Sequence, residues 1–238
     1  MKTRIAFISL IAATALICSC ASTGADDIQK ATAHYQLGVS YMNQNNIEPA
    51  FVEFQKAIEL NPDDKEAHNA LGVLYLQKLD DPAKAISQFK EALRTDPNFP
   101  EAANNLGSAY ARTGRYNEAI EFYKVALANP LYKNTVIALN NLGMVYYRTA
   151  KYDDAILSYK EALKRFSDSS FPYYGLALCY NAKGQYGDAS VAMNRAIELD
   201  PLYKGDKGKA VEDLGNRKMR AKGEEEKDIN DYLEILKY

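Results

Sequence analysis

The chain has 238 residues, a formal net charge of −2 at neutral pH and no tryptophan. Its 29 basic and 31 acidic residues nearly balance, and two of the basic ones, Lys2 and Arg4, belong to the N-terminal leader. The charges alternate along the predicted helices as they do on solvated faces, without the basic stripe that neutralises nucleic-acid phosphates. Nucleic acid is therefore excluded as an expected partner.

The leader, residues 1–19, is predicted to be a signal peptide. Two basic residues precede an apolar run over residues 5–17, which is too short to span a membrane, and small polar residues follow it. The stretch ICSC, which ends at Cys20, resembles the lipobox of bacterial lipoproteins, in which a small residue precedes the acylated cysteine. Cys20 is thus the predicted lipidation site, and residues 20–30 are the lipidated linker. Cys18 is a weaker candidate, because Ile17 stands before it where a small residue is wanted, and the other alternative is an ordinary secretory signal that is cleaved nearby.

The lipoprotein resemblance implies that Cys20 becomes the mature N-terminus and carries a thioether-linked diacylglycerol and an N-acyl chain. Stable anchoring needs more than one chain, because a single chain binds membranes only marginally. In that family an aspartate after the cysteine favours retention in the inner membrane, whereas Ala21 and Ser22 stand here. We expect the protein to be lipid-anchored at the periplasmic face of the bacterial outer membrane.

One pattern with a period of about 34 residues occurs five times after the linker. In the third unit it consists of Gly107, Tyr110, Ala119, Tyr123 and Ala126. The first two share one face of a first helix, and the last three, at i, i+4 and i+7, form the facing stripe of a second helix. The five units are residues 31–64, 65–99, 100–135, 136–169 and 170–203.

The pattern resembles the tetratricopeptide repeat family. The resemblance implies an all-α fold of the α-solenoid class, a right-handed superhelix of antiparallel helix pairs in which each repeat covers the open face of its neighbour. The glycine or alanine at the small position of each unit lets the paired helix approach closely. Four second helices should end at an Asn-Pro or Asp-Pro pair, because the residue before a proline avoids helical geometry.

Residues 204–238 are predicted to be a degenerate repeat followed by a capping helix. Ala210 and Leu214 imitate part of a first helix, but two glycines weaken the pattern. From Glu224 onwards apolar residues follow i, i+3, i+4 and i+7, and three glutamates in the first turn suit the helix dipole. We expect this segment to shield the last repeat from water; the alternative is an amphipathic tail that binds a partner.

Recognisable catalytic or metal-binding motifs do not occur in the sequence. His34 and His68 fall at equivalent positions of adjacent units, which indicates packing. Cys179 is the single cysteine outside the signal region, and a buried, unreactive thiol is expected there. We predict that the protein is not an enzyme and takes no cofactor, metal ion or small-molecule substrate.

Asparagines on the first helices are the informative polar residues. In tetratricopeptide repeats the first helices line the concave face, and these asparagines resemble those that bind a peptide backbone, since an amide is both donor and acceptor. Two arginines, each seven residues after an asparagine, suit an acidic group or a C-terminal carboxylate. The alternative is that asparagine merely tolerates a half-exposed helix face. The predicted groove residues are Asn69, Asn104, Asn105, Arg112, Asn140, Asn141 and Arg148.

Stretches such as AFVEFQKAIELNPDDKEAHNALGVLYLQKL resemble the type IV pilus biogenesis and stability lipoproteins, the pilotins of the pilus secretin. This resemblance implies a non-enzymatic outer-membrane scaffold that assists the localisation and multimerisation of the secretin. The expected partners are a protein, either a secretin or another envelope assembly protein, and the membrane through the N-terminal lipid. The alternative is a general periplasmic scaffold or adaptor for another envelope assembly complex.

Overall fold

The computed structural model describes residues 24–238, and within that range it contains twelve α-helices and no β-strand. The predicted all-α class is thereby confirmed, while the signal peptide and Cys20 lie outside the described residues. None of these twelve helices is long and apolar enough to cross a bilayer. The helices are α1 (24–43), α2 (Ile47–Leu60), α3 (Lys65–Gln77), α4 (Pro82–Thr95), α5 (Pro100–Arg112), α6 (Tyr116–Ala128), α7 (Thr135–Arg148), α8 (Tyr152–Arg165), α9 (Ser170–Ala182), α10 (Tyr186–Leu199), α11 (Lys207–Lys218) and α12 (Glu224–Ile235).

Odd-numbered helices from α1 to α9 are the first helices of the five units, and even-numbered helices from α2 to α10 are the second helices. The chain forms two compact units, divided between Asn105 and Leu106, inside α5. In the first unit α3 packs against α2 and α4. In the second unit α7 packs against α6 and α8, and α9 packs against α8 and α10. These three first helices thus contact their own second helix and that of the preceding repeat, as the pattern predicts.

An aromatic ring packed against a glycine holds the two helices of a repeat together. In four repeats the ring of the second helix is at most 2% exposed, and a Cβ on the facing glycine would come within 2.5 to 2.8 Å of it. Side chains do not tolerate such a distance, so only glycine allows the helices this approach. The pairs are Phe54 with Gly38, Phe89 with Gly72, Tyr123 with Gly107, and Tyr159 with Gly143.

Tyr159 is enclosed by glycine on two sides. Besides Gly143 of its own repeat, Gly175 of α9 faces the ring, and a Cβ there would lie 2.2 Å from Tyr159 Cζ. In the fifth repeat Met193 takes the place of the ring and Ala177 that of the glycine, and both are buried. The fourth repeat is therefore joined to the fifth by a ring contact of its own.

The second helices end where the Asn-Pro and Asp-Pro pairs predict. Asn61, Asp96, Asn129 and Asp200 are the C-terminal cap residues of α2, α4, α6 and α10, and their backbone is extended. Each side chain accepts a hydrogen bond from the backbone N–H two residues later, at 2.9 to 3.3 Å. This local turn directs the chain into the next repeat.

The turn between the two helices of a repeat contains a residue in the left-handed conformation. Gly114 and Gly184 supply it with φ angles of 73° and 72°, whereas Ala150 adopts a φ of 57° at the equivalent place. Left-handed geometry costs a residue with a Cβ about 1 to 2 kcal/mol. The fourth repeat therefore holds local strain that a glycine would avoid.

The last helix does more than cap the final repeat. α12 packs against α9, α10 and α11. Its first residue, Glu224, also accepts a hydrogen bond from the hydroxyl of Tyr116, at the start of α6, at 3.1 Å. Through this side-chain contact α12 reaches back from the fifth repeat to the third.

Replacing Gly107 with leucine should lower the free energy of unfolding by about 1 to 3 kcal/mol, because volume enters a filled space. A Cβ at Gly107 would lie 2.8 Å from the ring of Tyr123 and 3.2 Å from the carbonyl oxygen of Ala119. Chemical denaturation measures the loss. Gly187→Leu is the matched control, since a Cβ at Gly187 meets nothing within 4 Å.

Hydrogen exchange on the Gly107→Leu variant should then locate the damage. Because each repeat contacts its neighbours in sequence, amide protection is expected to fall first in α5 and α6 and to recover with distance along the chain. Uniform loss of protection from residue 31 to the C-terminus would contradict the repeat architecture.

Candidate functional site

The first helices place the predicted asparagines at two depths. Asn104 and Asn140, three residues before the glycine, are 7% and 9% exposed. Asn105 and Asn141, one residue later, are half-buried. One step along an α-helix turns the side chain by about 100°, so neighbours in sequence do not share a depth. Asn105 and Asn141 are therefore better placed to meet a ligand than the two interior asparagines.

In the first unit three predicted residues form a chain of side-chain hydrogen bonds. Asn105 Nδ2 donates to Asn69 Oδ1 at 2.9 Å, which links α5 to α3. Asn104 Nδ2 donates to Asn105 Oδ1 across a longer 3.5 Å. An amide has two N–H donors and an oxygen with two lone pairs, so the half-buried Asn69 and Asn105 retain capacity for a peptide backbone. The structure thus brings Asn69, Asn104 and Asn105 together.

In the second unit the two asparagines of α7 differ in their exposure to solvent. The Oδ1 atom of Asn140 is buried and has no hydrogen-bond partner, a condition that costs about 1 to 3 kcal/mol and is rare in protein interiors. Asn141 lies half-buried next to it in sequence. Arg112 is exposed at the C-terminal end of α5, where its positive charge interacts favourably with the helix dipole.

Arg148, at the end of α7, is engaged by α12. Its guanidinium forms a two-pronged pair with Asp228, in which Nη1 donates to Oδ1 at 2.7 Å and Nη2 donates to Oδ2. Arg148 Nε lies 2.8 Å from Glu224 Oε2. The side chains of Arg148 and Asp228 are only 13% and 11% exposed. The acidic group expected for Arg148 is thus present in the chain itself, 80 residues later.

Tyrosines surround this ion pair. The hydroxyl of Tyr147 donates to Asp231 Oδ2 at 3.4 Å. Further along α12, the ring of Tyr232 meets that of Tyr174 edge-on, with centroids 5.5 Å apart. The guanidinium carbon of Arg148 lies 5.3 Å from the centre of the Tyr147 ring, within the range of a cation–π interaction. The contact surface between α12 and the first helices is therefore aromatic and charged.

Burial and the ion pair together shift the pKa values of Tyr147 and Arg148. Burial and the nearby carboxylate of Asp228 raise the pKa of the Tyr147 hydroxyl. Burial opposes the charged form of Arg148, but the hydrogen bond to Asp228 and the charges of Asp228 and Glu224 together outweigh it and raise the pKa of the guanidinium. Both groups therefore stay protonated at neutral pH, so the surface offers one fixed positive charge and neutral hydroxyl donors.

Family comparison identifies the repeats. Models described as tetratricopeptide repeat or TPR repeat match residues 40–78, 65–99, 100–168 and 137–204. These matches run without a gap over more than half of the chain. The chain belongs to the tetratricopeptide repeat family. Proteins of this family are generally non-enzymatic scaffolds that bind other proteins, which makes the surfaces of the first helices the candidate site.

Solved tetratricopeptide-repeat structures share the fold. PilF of Pseudomonas aeruginosa is 23% identical, covers 87% of this chain and 90% of its own, and has a TM-score of 0.69. PilW, a widely conserved type IV pilus biogenesis factor, is 22% identical, with a TM-score of 0.70 over 85% of this chain and 90% of its own. YrrB, a TPR protein with an unusual peptide-binding site, is 19% identical, with a TM-score of 0.61 over 76% and 90%. None of the curated proteins matches the chain by sequence.

The acidic face of α12 was not among the residues that the sequence predicted. Glu224, Asp228 and Tyr232 stand at i, i+4 and i+8, so they lie on one stripe of a helix. This spacing is visible in the sequence, but it does not say which of many basic residues the carboxylates meet. Arg148 was predicted to bind an acidic group, and only the fold joins the two.

The two histidines contact polar side chains of the paired helix, and the cysteine is buried. His34 Nδ1 lies 2.5 Å from Glu53 Oε2, and His68 Nδ1 lies 2.7 Å from Gln88 Oε1. Burial raises the pKa of the Cys179 thiol to about 12, so the reactive thiolate is scarce at neutral pH. Within residues 24–238 no group of three or more His, Cys, Asp or Glu side chains is arranged to hold a metal ion.

A double-mutant cycle on Asn69 and Asn105 should give a coupling free energy of about 0.5 to 1.5 kcal/mol, because either alanine substitution removes the same hydrogen bond. The two single variants and the double variant are compared by chemical denaturation. Asn69→Ala combined with Asn194→Ala, an exposed position of α10, is the uncoupled control. If the losses in unfolding free energy of the two single variants simply add up in the double variant, the hydrogen bond between Asn69 and Asn105 contributes nothing to stability.

Proposed function

We propose that the chain is an outer-membrane lipoprotein that acts as a pilotin in type IV pilus biogenesis. In this role it holds secretin subunits at the membrane and favours their multimerisation. The observation that carries the proposal is the lipobox-like ICSC, ending at Cys20, a few residues before five repeats. The coarser role, a tetratricopeptide repeat scaffold for protein–protein interaction, follows from the family alone.

The proposed anchor explains how a scaffold without catalytic machinery can promote assembly. Acyl chains on Cys20 would confine the protein to a surface, and several chains are needed for stable attachment. A secretin subunit bound by the repeats would then meet other subunits at a raised local concentration. Multimerisation is favoured without any chemical step.

PilW supports the choice of complex, since that protein is a type IV pilus biogenesis factor and shares the fold over most of both chains. The half-buried asparagines support the mode of binding. Asn69 and Asn105 are already oriented by their mutual hydrogen bond, so they present amide groups at little cost in entropy. Amides bind backbone N–H and C=O groups of an extended segment with little regard to its sequence.

Replacing Cys20 with alanine should abolish acylation and leave the protein either uncleaved or released from the membrane. Cell fractionation and the intact mass of the purified protein measure this. Cys18→Ala is the matched control, because it changes the neighbouring cysteine and should leave acylation intact. Outer-membrane fractionation of the Cys20→Ala variant, together with an unacylated wild type, would overturn the anchor.

Replacing Asn105 and Asn141 together with alanine should weaken binding to the purified pilus secretin by a factor of about 5 to 150. Each lost hydrogen bond contributes roughly 0.5 to 1.5 kcal/mol. Titration calorimetry well below the melting temperature separates binding from any change in stability, and Asn194→Ala is the control.

Unchanged affinity in the double variant would remove the first helices from consideration and direct the search to exposed apolar residues of the second helices, such as Leu157 and Val191. Crosslinking of the native protein in cell envelopes tests the partner itself. Recovery of other assembly factors without the secretin would favour the general envelope scaffold over the pilotin.

A further inference from the structure

α12 packs against α9, α10 and α11, and its side chains reach α7 and α6 of the preceding repeats. Its N-terminal half is held by Arg148 at the end of α7, and its C-terminal half by Tyr174 of α9. A helix that merely extended the stack would meet the last repeat only, whereas α12 also contacts side chains of the fourth and third repeats.

The charged and aromatic contacts of α12 with α7 and α9 come from a short, regular motif. Glu224, Asp228 and Tyr232 at i, i+4 and i+8 supply two carboxylates to Arg148 and a ring to Tyr174. Within α12 itself the buried residues are Asp228, Ile229 and Ile235. Many amphipathic helices could offer the same groups, so the surface does not demand this particular segment.

The energetics of the ion pair allow a carboxylate of another helix to replace Asp228 at Arg148. A partly buried pair gains little net stability, because desolvation offsets the attraction, whereas removal of one partner alone is costly. Release of α12 would return both Arg148 and Asp228 to water and leave neither charge buried and unpaired. A carboxylate from another helix would then restore the pair at Arg148 with little net cost.

Surface clefts border α12. Two of about 340 and 480 Å³ lie where α12 and its connection meet α11, and one of about 210 Å³ is lined by Tyr174 and Tyr232. The buried hydroxyl of Tyr159 has no hydrogen-bond partner, and Tyr232 and Asp228 are among the groups that raise its pKa, after burial itself. A buried hydroxyl near the contact surface of α12 thus makes no hydrogen bond.

The helix is also poorly stable by itself. α12 has 12 residues, and isolated helices of that length are marginal in water. It is joined to α11 through residues 219–223, which include Gly223 at a φ of 62° and are mostly exposed. Once released, the segment gains conformational entropy, which lowers the free energy of opening.

We propose that Arg148, Tyr147 and Tyr174 form a docking site for an acidic amphipathic helix of a partner protein, and that α12 is a built-in occupant which this helix displaces. The partner helix presents two carboxylates one turn apart, followed one turn later by an aromatic residue. The proposal rests on the protein-binding role of the repeats, but not on the pilus, the secretin or the lipid.

The test uses the full chain and a labelled synthetic peptide of its own residues 222–238 as the probe. Asp228→Lys places like charges at Arg148 and should detach α12. Fluorescence anisotropy should then show the peptide binding at least about tenfold more tightly to this variant than to the wild type, because a closed site lowers the apparent affinity. A peptide that itself carries Asp228→Lys is the matched probe and should not bind.

Charge reversal supplies the specificity control. A chain that carries Arg148→Asp with Asp228→Arg can close again with the charges exchanged, so it should not bind the wild-type peptide. Equal binding of the two peptides to the Asp228→Lys chain, or no binding of the wild-type peptide to it, would overturn the proposal.

Hydrogen exchange on the wild type gives a test that needs no variant. Amides of α12 should exchange at least about tenfold faster than those of α8, through local opening. Exchange of α12 only by global unfolding would make it a structural part of the fold and overturn the proposal. Light scattering of the concentrated wild type should show a monomer. A dimer dissociated by the peptide would assign the site to a second copy of this chain instead.

Discussion

The contact between a buried ring and a glycine determines how closely the two helices of each repeat approach, and the rest of the structure depends on it. It fixes the rotation of the first helix, and so decides that Asn104 is buried while Asn105 reaches the surface. Tyr159 extends the principle, since glycines of two successive first helices enclose its ring. The spacing of α7 and α9, which carry Arg148 and Tyr174, follows from that ring.

Much of this architecture can be predicted from the sequence, because the interactions that cause it are local. A glycine, an aromatic residue and two alanines at fixed spacing define a helix pair, and Asp96 before a proline ends a helix for reasons confined to a few residues. The burial of Asn140 is harder to predict from the sequence, since it depends on how neighbouring helices cover one turn of α7. The pairing of Arg148 with Asp228 could not be predicted, because no periodic pattern connects two residues that lie 80 positions apart.

The two units present different chemistry. In the first unit Asn69 and Asn105 form a neutral, hydrogen-bonded pair of amides, which suits the uniform groups of a peptide backbone. In the second unit Arg148 offers a fixed positive charge among tyrosines, which selects for carboxylates in a defined geometry. A partly buried ion pair gains little net stability, because desolvation offsets the attraction. In the roles proposed above, the first surface would tolerate many sequences and the second would discriminate among them.

The separation of Arg148 from Asp228 along the chain also has a consequence in time. A polypeptide leaves the ribosome N-terminus first, at roughly 5 to 20 residues per second, so the 80 residues between them take roughly 4 to 16 seconds to appear. Throughout that interval the residues of α12 have not been synthesised, so Arg148 cannot yet pair with Asp228. The closure of α12 onto α7 is therefore among the last long-range contacts that the chain can make as it folds.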